Sequence, residues 1–218
     1  MDKLTSLVMM IIFISGILLL ISLRPRTGFA TTGMKIRKAI STPLNLAEFL
    51  GRKPDRGKHD QYYFFSEENV RSLGHRFIGR FDGAIFHWEN VPVLDLIIEY
   101  KFPVKHLPQQ SRPEDVFQAG LYALALLESG VSCTSTKLVT IYCLQENAKK
   151  CIDQKESREC WKCNKSQTHV TRFKPKTILR ELNRLDEVWY NGRKPRPAQD
   201  SSSCRVCPYN ESCNYSLI

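Results

Sequence analysis

Three short clusters carry residue types able to do chemistry together. Gly79-Arg80-Phe81-Asp82-Gly83 supplies an acid, Leu96-Ile97-Ile98-Glu99-Tyr100-Lys101 an acid and a lysine, and Gln118-Ala119-Gly120-Leu121-Tyr122 two polar side chains. Carboxylate oxygens are hard ligands that suit Mg²⁺ or Mn²⁺, ions that take one or two carboxylates and keep several waters. An ion held by Asp82 and Glu99 can activate a water and neutralise charge on a scissile phosphate. A lysine beside it can orient that water or stabilise the developing charge. The chemistry that fits the set is phosphodiester hydrolysis. An isolated Glu-x-Lys is most often a strand end with an incidental ion pair, so the argument rests on all three clusters occurring in this order.

The positioning elements follow from residue patterns. Residues 93–102 are rich in Val, Ile, Leu, Tyr and Phe and predict a strand. Side chains alternate across a strand, so Glu99 and Lys101 share a face, with Ile97 and Asp95 behind them. Residues 77–86 predict a preceding strand carrying Asp82. Asp82 and Glu99 are 17 positions apart, enough for a strand end, a turn around Glu89-Asn90-Val91-Pro92 and a second strand. The two strands then form a hairpin with both carboxylates near one edge of a sheet. Residues 103–113 read as a loop. Residues 114–128 predict a helix with Phe117, Leu121, Leu124 and Ala125 at helical spacing. Gln118 and Tyr122 are four apart on it and share a face. A short helix is expected near 43–50, strands at 137–144 and 168–173, and an amphipathic helix at 177–190 stopped by Gly192. No internal repeat is present.

The order Asp, Glu-x-Lys, Gln-x-x-x-Tyr resembles the PD-(D/E)XK nuclease superfamily. Together with Cys204-Arg205-Val206-Cys207-Pro208-Tyr209 and Cys213, it is similar more narrowly to the RecB-like exonucleases associated with CRISPR systems. The resemblance covers about residues 59 to 215. It implies an α/β, restriction-endonuclease-like three-layer core, a mixed central sheet flanked by helices. It also implies Asp82 and Glu99 as metal carboxylates, Lys101 as the catalytic lysine, and Gln118 and Tyr122 as helix residues facing the active site. The narrower family carries a histidine upstream of the Asp, for which His59 is the better candidate and His75 the alternative. In that family three C-terminal cysteines join one upstream cysteine on an iron–sulfur cluster. This chain has no cysteine before Cys133, so the fourth ligand must come from elsewhere.

The chain holds 8 cysteines in 218 residues. Cys133 and Cys143 sit in or beside an apolar run and read as small buried hydrophobes. Cys151, Cys160 and Cys163 lie in a charged insert, and Cys160-Trp161-Lys162-Cys163 is a tight pair. Two readings stay open: an iron–sulfur cluster on Cys204, Cys207 and Cys213 with Cys160 or Cys163 as fourth ligand, or a structural zinc. Disulfides would need an oxidising compartment.

Residues 4–23 are mostly apolar and uncharged, long enough at 1.5 Å per residue to span a hydrocarbon core of about 30 Å. They predict one transmembrane helix, followed by a basic juxtamembrane linker at 24–40 and a nuclease-like domain at 41–218. The basic residues after the span place the domain in the cytoplasm. A net charge of +10 suits a polyanion partner. The leading expectation is therefore a membrane-anchored, Mg²⁺- or Mn²⁺-dependent DNA nuclease. It would be exonuclease-like, act on single- or double-stranded DNA, and serve DNA processing, repair or defence. The alternatives are a non-catalytic nucleic-acid-binding module that kept the fold, and a membrane-tethered metal-binding scaffold.

Overall fold

The computed structural model describes residues 3–52, 61–151, 157–194 and 201–218; in the first helix, side chains are described for 9–18 and from 31 onward. The chain divides into two compact units, Met1–Pro175 and Lys176–Ile218.

The first unit is built on a six-stranded sheet: β1 (Ile40–Ser41), β2 (Tyr63–Ser72), β3 (Phe77–Trp88), β4 (Pro92–Lys101), β5 (Lys137–Cys143) and β6 (Ser166–Arg172), side by side in chain order. β2, β3 and β4 form an antiparallel meander and β6 runs antiparallel to β5. The β1–β2 and β4–β5 pairs are parallel. A tight turn cannot join parallel neighbours, and the β4–β5 connection carries helix α3 (Pro113–Glu128). That helix opens with Pro113 at its first position and Glu114 and Asp115 in its first turn, which suits its positive end. Gly130, at φ 88°, follows its C-terminus, a conformation an L side chain rarely adopts.

β4 is buried along most of its length because both faces of the sheet are covered. On one face Phe64, Ile85, Leu96, Ile98, Val139 and Ile141 pack with Ile36 and Ala39, at the end of helix α1 (Lys3–Lys38), and with Trp161. On the other, α3 lies across β2, β3, β4 and β5. Helix α2 (Leu46–Gly51) starts at a capping box between Asn45 and Glu48. It sets the Phe49 ring 5.0–5.9 Å from the rings of Tyr63, Phe65, Phe86 and Trp88. A mixed sheet between helices is the α/β arrangement expected, and it fits a restriction-endonuclease-like core. The strand β2 is not anticipated by the sequence reading, because its Ser66-Glu67-Glu68-Asn69 run breaks the apolar alternation.

The N-terminal expectation is corrected. α1 does not stop after an apolar span but continues to Lys38, and its last turns bury Thr32 and Ile36 in the domain. Of its apolar part, the described side chains 9–18 cover about 15 Å, half of a hydrocarbon core. Among the described residues no helix is long and apolar enough to cross a membrane. The transmembrane helix, the membrane partner and the single-pass localisation are withdrawn on that finding.

The Cys-bearing insert between β5 and β6 contributes α4 (Gln145–Cys151) and a 3₁₀ turn at Ser157–Lys162. The second unit holds most of α5 (Pro175–Trp189), with Ile178 and Leu182 buried one turn apart, and α6 (Ser201–Arg205).

Candidate active site

β3 carries Asp82, β4 carries Glu99 and Lys101, and α3 carries Gln118 and Tyr122. These residues meet in one hydrogen-bonded network. The Tyr100 backbone N–H donates to Asp82 Oδ2 at 2.7 Å, which sets Asp82 against the Glu99–Lys101 segment. Lys101 Nζ donates to Glu99 Oε2 at 3.1 Å and to Gln118 Oε1 at 2.7 Å. Gln118 Nε2 then donates to the Tyr122 hydroxyl at 2.8 Å. All five sequence-identified residues of the catalytic set are thus brought together.

Glu99 is only 1 % exposed, and among the described residues its Oε1 is buried without a hydrogen-bond partner. Its carboxyl is pushed up to about 7, first by burial and then by the neighbouring Asp82, against the pull of Lys101. Burial also raises Asp82, opposed by the Tyr100 N–H and Lys101. The Tyr122 phenol is raised by burial as well. Two carboxylates that disfavour each other's charge, one with an unsatisfied buried oxygen, form a donor set that fits a hard divalent cation. Asp82 and Glu99 are the residues that would hold it.

Gly79 explains how Tyr122 reaches the network. A Cβ at this position would overlap the Tyr122 ring, which lies directly on the β3 backbone. Gly79→Ala is expected to displace the ring and, through Gln118, Lys101. A loss on the order of 10- to 100-fold in turnover is expected from such a misplacement. A cleavage assay beside a thermal melt checks it: the loss of rate should come with a melting temperature lowered by a few degrees, because the buried Tyr122 ring must shift.

Two further acids, Asp115 and Glu67, escaped the sequence reading, and a third, Asp95, stands on another face than expected. Asp115 is buried on α3, accepts a hydrogen bond from the Tyr142 hydroxyl at 2.6 Å, and has Oδ1 3.8 Å from Lys101 Nζ. Its spacing from Gln118 and Tyr122, three and seven residues, was the available signal of a shared helix face. Asp95 was expected on the face of Glu99. A bulge intervenes: Ile85 pairs with Leu96 and Phe86 with Leu94, leaving Asp95 between them. The parity breaks there. The Asp95 carboxylate instead meets Lys35 of α1 and, at 2.5 Å, His87 Nδ1. That contact with Asp95 is the main reason the His87 imidazole is raised. Glu67 stands across β2–β3 from Asp82, between the pairs Ser66–Gly83 and Glu68–Phe81, at φ 56°. This backbone region is uncommon for a residue other than glycine. Its carboxylate takes Arg80 at 3.1 Å.

Of the histidine candidates, His59 lies outside the described residues. His75 sits beyond the end of β2, where its ring is 3.4 Å from Glu128 and its backbone N–H donates to Ser72 Oγ. It is bound to the far end of α3, and it makes no contact with Asp82 in this network.

The cysteines fall into two groups, one in each unit. Cys143 ends β5 opposite Ser166, whose hydroxyl donates to the carbonyls of Cys160 and Cys163 at 2.8 and 3.0 Å. The Cys160 thiol is raised first by burial and then by the charges of Cys143, Cys163 and Cys151. The second unit holds Cys204, Cys207 and Cys213. There the Leu217 and Tyr215 backbone N–H groups donate to the sulfurs of Cys204 and Cys213 at 3.5 and 3.4 Å. Among the described residues no three His, Cys, Asp or Glu side chains are gathered closely enough to hold a metal ion.

A family model for the PD-(D/E)XK nuclease superfamily matches residues 35–214. No match is found among the curated proteins. The family match takes in the whole network from Asp82 to Tyr122. It spans Cys204, Cys207 and Cys213 as well, but it identifies the superfamily alone, neither a RecB-like subfamily nor a metal on those cysteines.

Proposed function

This chain belongs to the PD-(D/E)XK nuclease superfamily, whose members are generally metal-dependent nucleases typically using Mg²⁺ or Mn²⁺, and we propose that it is a divalent-metal-dependent deoxyribonuclease. Asp82 and Glu99 hold the ion and Lys101 serves the reacting phosphate. The observation that carries this reading is the buried, unpartnered Glu99 Oε1 beside Asp82. When bound, the ion supplies Lewis acidity and a nucleophilic water at neutral pH.

The protein groups have separable tasks. Glu99 must be ionised to act as a ligand, and Lys101 favours that state from 3.1 Å. The Lys101 ammonium, held between Glu99 and Gln118, presents fixed positive charge where the phosphate becomes more negative. A preorganised charge needs no rearrangement at the moment of reaction, so it favours the transition state. Gln118 anchors Lys101 to α3, and Tyr122 anchors Gln118. DNA as substrate is supported by the basic balance of the chain, +10 overall. An exonuclease-like mode is supported by the resemblance to the RecB-like group. The test is a cleavage assay of the full chain on linear and circular, single- and double-stranded DNA, with Mg²⁺, Mn²⁺ or EDTA. Metal-dependent cleavage that needs a free end is expected. Equal cleavage in EDTA overturns the reading, and equal cleavage of circles removes the exonuclease mode.

The C-terminal cysteines add a second metal to the proposal, an iron–sulfur cluster or a zinc ion on Cys204, Cys207 and Cys213, which requires these thiols to draw closer together than they stand here. Amide hydrogen bonds to sulfur, as at Cys204 and Cys213, suit thiolates in such a site. Three thiolates leave one coordination position to another donor. Protein purified without oxygen is expected to carry iron and a broad visible absorbance, or zinc without colour. Cys204→Ser and Cys207→Ser are expected to lose the metal and some stability, because metal binding and folding are coupled. Metal analysis finding neither element overturns this part alone.

A further inference from the structure

Lys101 links the Glu99 carboxylate on the sheet to Gln118 on α3, so what holds it matters. It has a third oxygen partner besides Glu99 and Gln118. Asp115 Oδ1 lies 3.8 Å from its ammonium, a charge contact rather than a close hydrogen bond. Asp115 is itself fixed: its other oxygen accepts from the Tyr142 hydroxyl at 2.6 Å, and that hydroxyl accepts from the Arg112 backbone N–H at 3.0 Å. Tyr142 is on β5 directly beside Lys101, as its register partner, and is 1 % exposed. The Asp115 carboxylate is therefore held by a buried phenol on the sheet and by the first turn of α3, with one oxygen turned toward Lys101.

We propose that Asp115 is a positioning residue for Lys101, sharing its ammonium with Glu99 so that the charge stands at a fixed place for the phosphate. The inference rests on the nuclease reading of the Asp82–Glu99–Lys101 site. A lysine drawn only by Glu99 would sit against that carboxylate and shield it. A second carboxylate, with Asp115 Oδ1 at 3.8 Å, draws the same ammonium toward α3. Neither Gln118, which is neutral, nor Tyr122 supplies that second negative charge. A purely structural role makes the opposite demand on the side chain. An acid in the first turn of α3 suits the helix dipole, and a buried acceptor for Tyr142 only needs an oxygen of the right shape.

Two variants separate these roles. Asp115→Asn keeps the shape and an oxygen for Tyr142 but removes the charge. Asp115→Glu keeps the charge but crowds a buried position. Positioning predicts that Asp115→Asn lowers kcat at least tenfold, the scale of losing a supporting contact behind a site. KM for DNA should stay within about twofold, since groups acting on the reacting state alone leave binding intact. Asp115→Glu should retain the larger share of activity. The outcome that overturns the proposal is an active Asp115→Asn, an equal loss in both variants, or a loss that follows the melting temperature. Lys101→Ala is assayed alongside in the full chain. If Lys101→Ala cuts DNA at the wild-type rate, the nuclease reading of the site fails. If it is inactive while Asp115→Asn is normal, only the positioning role fails.

Discussion

Lys101→Ala is expected to lower the DNA cleavage rate roughly 10²- to 10³-fold, the range seen when one preorganised charge stabiliser is removed. Three oxygens surround the Lys101 ammonium, from Glu99, Gln118 and Asp115. It is the cation this network directs at the two carboxylates and at any phosphate brought to them. Truncation also strips Glu99 of its favourable partner, so the buried carboxyl would ionise less readily. The loss should therefore be partly relieved at higher pH, whereas the missing phosphate contact should not. Single-turnover rates from pH 6 to 9 separate the two contributions. A pH-independent, wild-type rate would remove Lys101 from the chemistry.

Glu99→Gln should act in opposite directions on activity and on stability. Cleavage should fall by about 10²-fold or more, since a metal ligand is worth several kcal/mol of charge stabilisation. The metal-free protein should become more stable at pH 8. The Glu99 carboxyl moves from 4.5 to about 7 on folding, mainly through burial. Between these values the folded state binds more protons than the unfolded one, so stability falls as pH rises. Above about pH 7 the folded protein carries an ionised buried carboxylate at a cost of about 3 kcal/mol. A neutral amide avoids that cost, so the variant should melt several degrees higher at pH 8 and similarly to wild type near pH 4. Metal binding to the wild type should release a proton below pH 7 and tighten as pH rises. Thermal melts in EDTA at several pH values check the sign. A lower melting temperature for the variant at pH 8 would contradict the burial argument.

Much of the site was legible because the carriers are regular. Strand alternation places Glu99 and Lys101 together, and helical spacing places Gln118 and Tyr122 together. Those periodicities hold in β4 and α3. Asp95 shows where such reasoning stops. One extra residue in β4 reverses the face, and nothing in Leu94-Asp95-Leu96 announces a bulge. Asp115 was missed for another reason: an acid in the first turn of a helix has a sufficient local explanation in the helix dipole. Only the contact with Lys101 gives it a second. Gly79 stands in the sequence only as a neighbour of Asp82, but it admits the Tyr122 ring, a long-range contact that sequence does not encode locally. The N-terminal segment was judged by its apolar length and the basic residues that follow it. The burial of Thr32 and Ile36 ties the end of the same helix into the first unit.

The account turns on one claim, that Asp82 and Glu99 together hold a divalent ion. Mn²⁺ titration of the full chain followed by electron paramagnetic resonance measures it without reference to any substrate. At pH 8 the wild type is expected to bind Mn²⁺ at this site, and Asp82→Ala and Glu99→Gln are each expected to lose it. Lys101→Ala should bind with at most modestly changed affinity. Mn²⁺ binding that is unchanged in both carboxylate variants would contradict the account.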